Sequence, residues 1–307
     1  MTKTAIQWSV VLLKFFVAGS AGMLGFVGLS EFAGGRTAAA ASSPDIPDAA
    51  APDGRKRVNT IAIIIALALL AAGGCAAFIQ LGRPASIMSV ARNISSASPV
   101  SLEFLACAAC LIVGAGYLLA TARGSSAVTR KAFGIIAMAT AVAVGFTGGY
   151  SHQAMVGMTA WHSPTISLSF LLSALVLGGF LYLTLLVVFG QGAPGKALSR
   201  EASAPALPQV ALWVLAGLSL LSTIALVANG LAVPLDDAAA LYWALAPLAG
   251  GAVPLVAAVL MLRRASLAWV CLGTAGAIAG ALTLRATIWL AVNAGLSKLT
   301  ESGIILL

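Results

Sequence analysis

The sequence has very little charge. Only 8% of its 307 residues are Asp, Glu, Lys or Arg, whereas 60% are apolar. A soluble domain carries about 25% charged residues, so this chain cannot cover a globular surface with polar groups. The composition therefore excludes an ordinary soluble domain. It predicts an all-α integral membrane protein, because helices satisfy their own backbone hydrogen bonds in hydrocarbon.

Histidine and cysteine are also scarce, which limits the cofactors that we expect. The two histidines, His152 and His162, fall in one predicted connection, so no pair inside the membrane is predicted to ligate a haem. All four cysteines lie in apolar segments. Cys107 and Cys110 share a helix face with Glu103, which is typical of a packing stripe, and an iron–sulfur cluster normally needs four thiolates. We therefore expect no haem, no iron–sulfur cluster and no metal site in this chain.

Motifs for soluble chemistry are missing as well. The chain contains no Walker A motif, no G-x-G-x-x-G that follows a strand and no nucleophile elbow. Its net charge of +8 does not indicate nucleic-acid binding, because Lys and Arg of membrane proteins collect in cytoplasmic loops. The expected environment is a lipid bilayer, without nucleic acid.

What the sequence has instead is long apolar runs. Eight are long enough to cross about 30 Å of hydrocarbon as helices. Lys3 and the first run would also suit a cleaved signal peptide, but this run is long and Lys14 interrupts it, so we expect an uncleaved helix. Pro247 and Pro254 predict kinks in the seventh span. The predicted spans lie near residues 8–29, 58–80, 101–121, 132–150, 165–189, 209–233, 239–262 and 267–293.

Basic residues are divided unevenly among the connections, which predicts an orientation. Eleven lie in the odd-numbered connections and four on the opposite side, so the odd connections are predicted to be cytoplasmic. We therefore predict a multi-pass protein of the bacterial cytoplasmic (inner) membrane. It would have eight helices in two four-helix bundles and both termini outside. Residues 31–57, rich in Ala, Pro, Asp and Gly, are predicted to be a disordered cytoplasmic insertion.

Ionisable residues inside spans are costly and mark functional sites by default. Glu103 is the only acid predicted in or against a span, and Lys14 and Arg285 are the only bases well inside apolar runs. In the predicted orientation all three lie in the outer half of the membrane. A carboxylate near water, with His or Tyr close by, suits the proton step of quinol oxidation. The polar residues predicted on the same side are Arg83, Tyr150, His152, Trp161 and His162.

Structural interpretations compete with this one. Glu103 can be an interfacial residue or the partner of Arg83, and Lys14 can extend to the interface as a snorkelling side chain. Arg285 can belong to a structural ion pair. Trp161 can be an interfacial anchor, and the two histidines can be solvated loop residues.

Three short motifs surround the start of the third span: Phe78-Ile-Gln-Leu-Gly-Arg-Pro84, Ala91-Arg-Asn93 and Ser98-Pro-Val-Ser-Leu-Glu103. They resemble the membrane anchor subunits of the dimethyl sulfoxide reductase family. Those subunits have a leucine-glycine-x-proline turn after the second helix, and a serine and a glutamate at the start of the third. The segments from Gln7 to Gly22 and from Tyr150 to Pro164 resemble their first helix and fourth connection.

The resemblance implies eight helices with both termini outside, and a function. The chain would oxidise menaquinol in anaerobic respiration and pass the electrons to an iron–sulfur subunit. That subunit would feed a molybdopterin catalytic subunit, so the reductase centre would not lie in this chain. Glu103 matches the family's carboxylate near the quinol site, and Gly82 matches its turn glycine. Gln80 stands where the family commonly has a histidine; it can hydrogen-bond a quinol hydroxyl but cannot take its proton.

We therefore predict that Glu103, His152 or His162 takes the quinol protons. Three alternatives stay open: a related polysulfide-reductase-type, quinone-reactive subunit, a small-molecule transporter, and a structural anchor without a quinol site. Gln80 favours the last, whereas clustering of polar groups towards one face disfavours a transporter. The residues predicted to bind the quinol are Gln80, Gly82, Arg83, Tyr150, Trp161 and Arg285.

Overall fold

The computed structural model describes residues 8–33, 52–81, 98–154, 163–189, 209–233, 239–263 and 266–301, and these ranges are helical without any strand. Eight helices are long and apolar enough to cross a membrane, which confirms the predicted all-α membrane fold. The arrangement in two bundles and the side of the termini stay predictions. The helices are α1 (Trp8–Ala33), α2 (Pro52–Leu81), α3 (Pro99–Ala122), α4 (Ala127–Gln153), α5 (Pro164–Phe189), α6 (Gln209–Ala232), α7 (Ala239–Arg263) and α8 (Leu267–Glu301).

Several helices continue beyond the apolar runs that predicted them. α1 reaches Ala33 and α2 already begins at Pro52, so both ends of the predicted insertion are helical, and residues 34–51 lie outside the described residues. α4 continues to Gln153, which places His152 in its last turn and not in a connection. Likewise, α8 extends past the predicted end at residue 293. Long basic side chains can project towards the interface, so polar helix ends remain compatible with a membrane.

α7 changes helix type in its middle. Residues Ala244–Ala252 form a π-helix between two α-helical parts, and Pro247 lies inside it. Proline lacks an amide N–H and collides with the preceding turn of a regular α-helix, and prolines and π-turns both interrupt regular α-helices. In the same segment, a Cβ added to Gly250 would lie 2.3 Å from the Cα of Gly280 on α8. The irregular segment is thus where α7 and α8 approach backbone to backbone.

α1 is the central helix of the described structure. It packs against α2, α4 and α5, and also contacts α8. In its most apolar stretch, 72% of the residues are buried, more than in any other described span. At its crossing with α5, a Cβ added to Gly22 would lie 2.1 Å from the carbonyl oxygen of Ala174. Small residues of this kind allow membrane helices to touch through their backbones. α5 in turn packs on α6 and α8, so the α1–α5 contact joins the two halves of the chain.

Candidate functional site

Buried polar side chains gather in two clusters at opposite ends of α1. The Lys14 cluster, where α1 begins, consists of Lys14, Glu103, Ser151 and the neighbouring Arg285. The Glu31 cluster, where α1 ends, consists of Glu31, Asn59, Tyr117, Arg130 and Tyr182. At about 1.5 Å per helical residue, Lys14 and Glu31 are roughly 25 Å apart along the helix.

Lys14 is an ion-pair partner and not a snorkelling side chain. It is only 8% exposed, and its Nζ donates to both carboxylate oxygens of Glu103, which is 16% exposed. The same ammonium donates to Ser151 Oγ at 2.8 Å and to the Gly148 carbonyl at 3.1 Å. The pair therefore ties α1, α3 and α4 together, and the carboxylate of Glu103 is engaged by Lys14; the alternative partner, Arg83, lies outside the described residues.

The start of α3 determines where Glu103 lies. Ser98 has an extended backbone and caps the helix, its side chain accepting a hydrogen bond from the backbone N–H of Ser101 at 3.2 Å. Pro99 occupies the first helical position, where its missing N–H costs nothing. Because the cap fixes the first turn, Glu103 in the next turn faces α1 and α4 at a defined depth.

Arg285 of α8 reaches the same region. It is 2% exposed, and its Nη1 donates to the Ala281 carbonyl at 2.8 Å and to Ser173 Oγ at 3.3 Å. The guanidinium carbon lies 4.9 Å from the centre of the Phe170 ring, a cation–π distance. Within the described part of the chain, no carboxylate comes within ion-pair distance of Arg285, and its Nε has no hydrogen-bond partner. A structural ion pair is therefore not formed among these residues.

A small cavity joins the Lys14–Glu103 pair to Arg285. Its volume is about 10 Å³, which is about the room that one water molecule needs. It can receive a single oxygen of a ligand, whereas a whole quinol ring requires side chains to move or remains outside. Two cations and one carboxylate face it, so its formal charge is +1. The remaining lining residues are Val17, Ala18, Val144, Gly145, Gly148 and Phe170.

Two further predicted residues lie at the end of α4. His152 is 3% exposed, so it is not a solvated loop histidine, and its ring centre lies 5.6 Å from that of Phe170. Phe170 thus contacts both His152 and Arg285 and brings the histidine to the edge of the cluster. Tyr150 instead stacks on Phe146 at 6.0 Å and does not line the cavity.

The other predicted site residues cannot be placed beside these. Gly82, Arg83, Trp161 and His162 lie outside the described residues, and Gln80 lies in the last turn of α2 with its side chain outside the description. Over the part of the chain that is described, no three His, Cys, Asp or Glu side chains are grouped as a metal site would require. Cys110 is buried in α3, where it belongs to the core.

The Glu31 cluster was not predicted, so the statement that Glu103 is the only acid in or against a span is wrong. Glu31 Oε1 accepts hydrogen bonds from Tyr117 at 3.2 Å and from Asn59 Nδ2 at 3.3 Å, and Oε2 accepts from Arg130 Nε at 3.4 Å. Asn59 Oδ1 accepts from the Tyr182 hydroxyl at 2.8 Å. The residues of the Glu31 cluster come from five helices and hydrogen-bond one another. Such mutual hydrogen bonding is typical of a structural network.

One family model matches almost the whole chain. Residues 5–296 match the family model described as polysulphide reductase, NrfD. A search of curated proteins finds no match. Membrane subunits of this family interact with quinones and assemble with iron–sulfur and molybdopterin subunits. The resemblance is thus confirmed at the level of a polysulfide-reductase-type membrane subunit, the type related to the dimethyl sulfoxide reductase anchors. The chain is therefore a multi-pass membrane subunit that belongs to the polysulphide reductase, NrfD family.

Proposed function

We propose that this protein oxidises menaquinol at the Lys14 cluster and delivers the electrons to an iron–sulfur subunit. That subunit supplies a molybdopterin subunit of the dimethyl sulfoxide reductase type in anaerobic respiration. The observation that carries the proposal is the convergence of Glu103, Lys14 and Arg285 on one cavity. Quinol oxidation needs a proton acceptor beside an otherwise apolar slot, and ionisable residues well inside membrane spans are functional candidates by default.

Glu103 is the proposed acceptor of the first proton. Its carboxylate is positioned by Lys14 and lines the cavity that can admit a hydroxyl oxygen. When Glu103 is protonated, Lys14 keeps its hydrogen bonds to Ser151 and to the Gly148 carbonyl, so the ammonium still has two hydrogen-bond acceptors. The site can therefore change its protonation state without losing the contact between α1 and α4.

His152 is the proposed acceptor of the second proton. It is buried at the end of α4 and contacts Phe170, which lines the cavity. Together with His162, it compensates for Gln80, which cannot accept a proton. Gln80, Gly82, Arg83, Tyr150 and Trp161 are proposed to hold the quinol head group where it enters from the membrane.

The family assignment favours one alternative, the polysulfide-reductase-type subunit, over the other, a small-molecule transporter. The family name favours the use of polysulfide as terminal acceptor, with the same quinone-reactive membrane site. A transporter would have polar residues at mid-membrane and broken helices in matching halves of the chain. The break in α7, Ala244–Ala252, contains no polar side chain, so this segment offers a solute only backbone groups.

The test compares Glu103→Gln with Glu31→Gln, which removes the carboxylate that pairs with the partly buried Arg130. Oxidation of a menaquinol analogue would be followed through reduction of the partner's iron–sulfur clusters. Co-purification of the subunits in mild detergent would report assembly. We expect Glu103→Gln to slow oxidation by about 10²-fold in an assembled complex, with Glu31→Gln close to the wild-type rate.

Two results would contradict the proposal. An unchanged rate in Glu103→Gln would remove Glu103 from the site, and equal losses in both variants would show a general effect on folding. A chain that purifies without redox partners and moves a solute across liposomes would reject the quinol function itself.

A further inference from the structure

The cavity carries more positive charge than its own residues balance. Glu103 is matched by Lys14, whereas Arg285 has no carboxylate within ion-pair distance in the described ranges and a buried Nε without a partner. A buried charge without a counter-charge is unfavourable. Because Arg285 lines the cavity, the unmatched charge faces the space where a ligand oxygen fits.

We infer that this site holds the quinol head group as a single anion once Glu103 has accepted the first proton, and that Arg285 holds the negative oxygen. This rests on the proposed function. A neutral quinol leaves the cavity with a formal charge of +1, since two cations and one carboxylate face it. Transfer of a quinol proton to Glu103 keeps the total at +1, and release of that proton from Glu103 then makes the site neutral. The two cations therefore stabilise the anionic oxygen, and Arg285 does so without the carboxylate partner that Lys14 has.

Arg285 is better placed for this role than Lys14. The ammonium of Lys14 already donates to Glu103, Ser151 and the Gly148 carbonyl. A guanidinium has five N–H donors, of which Nη1 serves Ser173 and Ala281. The Phe170 ring lies against the guanidinium at 4.9 Å and restricts its orientation. Spare donors on a restrained guanidinium are suited to a charge-assisted hydrogen bond with an anionic oxygen.

The proton step balances without a further reactant. The O–H bond of one quinol hydroxyl breaks, the proton forms a new O–H bond on Glu103, and the electron pair stays on the quinol oxygen facing Arg285. Neither group is oxidised or reduced at this point. The two electrons leave later to the iron–sulfur subunit, with the second proton passing to the proposed acceptor, His152. Glu103 then loses its proton and again pairs with Lys14 as a carboxylate.

A pair of ligands that differ at one oxygen tests the inference. A 3-alkyl-2-hydroxy-1,4-naphthoquinone is an anion at neutral pH, whereas its 2-methoxy ether has the same ring and chain but no charge. Equilibrium binding of both would be measured on the complex purified in detergent. We expect the anion to bind at least about tenfold more tightly, as one charge-assisted hydrogen bond allows.

Variants of Arg285 show which residue produces this preference. In Arg285→Gln the two ligands should bind within about twofold of each other, and Arg285→Lys should retain part of the preference because it keeps the charge but has fewer donors. Arg123→Gln is the matched control, because Arg123 is exposed at the far end of α3. It should keep the wild-type preference.

Other binding results would contradict either the role of Arg285 or the quinone site itself. Equal affinities of the two ligands in the wild type would overturn the inference and leave a quinone site intact. Failure of both to bind would reject the proposed function as well. A preference that survives in Arg285→Gln would exclude Arg285. If that variant does not assemble, an undiminished preference in Arg285→Lys would count against the inference in the same way.

Discussion

The Lys14–Glu103 pair should be worth more than an ordinary hydrogen bond between membrane helices. Opposite unit charges 4 Å apart attract by about 4 kcal/mol at an effective dielectric constant of 20. Both side chains are mostly buried, at 8% and 16% exposure, so solvent screens them little. Removing one partner of a buried pair typically costs about 3–5 kcal/mol. Neutral interhelical hydrogen bonds in membranes, by contrast, average about 0.6 kcal/mol in double-mutant cycles.

A double-mutant cycle distinguishes a buried ion pair from a neutral interhelical hydrogen bond. Lys14→Met should destabilise strongly because it leaves the carboxylate of Glu103 without its cation. Glu103→Gln should cost less, because Lys14 keeps Ser151 and the Gly148 carbonyl. The double variant should recover part of the loss, and we expect a coupling energy of about 2–3 kcal/mol. The measurement is the free energy of unfolding in detergent micelles for the four proteins, each checked for helix content.

The coupling energy between Lys14 and Glu103 shows whether the two side chains form a buried ion pair. A value near 0.6 kcal/mol, the average for neutral hydrogen bonds, would mean that the two charges do not interact as a buried pair. A coupling near zero would place the side chains apart in the folded protein. Either result would refute the geometry on which the role of Glu103 depends.

Two further predictions concern the scaffold. Gly178→Ala should destabilise the protein by about 1–3 kcal/mol or more, because the added Cβ would lie 2.1 Å from the Gly22 carbonyl carbon. Gly217→Ala is the control, because its added Cβ would have no atom within 4 Å. It should change the thermal midpoint of unfolding in detergent very little. Tyr117→Phe, which removes the 3.2 Å hydrogen bond to Glu31, should lower stability by about 0.6 kcal/mol without altering quinone-analogue affinity. A large affinity loss in Tyr117→Phe would connect the two clusters functionally.

The eight spans were predictable because hydrocarbon thickness sets a minimum length for apolar helices. The helix ends were less predictable, since polar residues such as Arg55–Arg57 of α2 and His152 of α4 continue a helix that the apolar run alone would end. Helix formation needs backbone hydrogen bonds, whereas the apolar count records only contact with lipid. Glu31 was missed for the same reason, because the first apolar run stops two residues before it.

The ionisable members of the candidate site could be named from the sequence, but neither Ser151 and Phe170 nor the pairing of the charges could be. Depth along each span placed Lys14, Glu103 and Arg285 in the same half of the membrane. Their contacts depend on which helices are neighbours: Lys14 and Glu103 are 89 residues apart, and Arg285 approaches through α5, whose Phe170 and Ser173 it contacts. Sequence depth therefore gives one coordinate of each residue, and helix packing supplies the other two.

The separation of the two clusters bears on the path of the quinol protons. Between Lys14 and Glu31, the buried face of α1 consists mainly of apolar side chains such as Val17, Leu24 and Val27. In the described ranges, no Asp, Glu, Lys, Arg or His side chain lies at that depth; Cys107 and Cys110 of α3 are the thiols there. Among the described residues, the charged side chains and the histidine near Glu103 therefore lie at the end of the bundle where α1 begins. If this end faces outward, as the distribution of basic residues predicts, quinol oxidation at the Lys14 cluster releases its protons outside the cytoplasm.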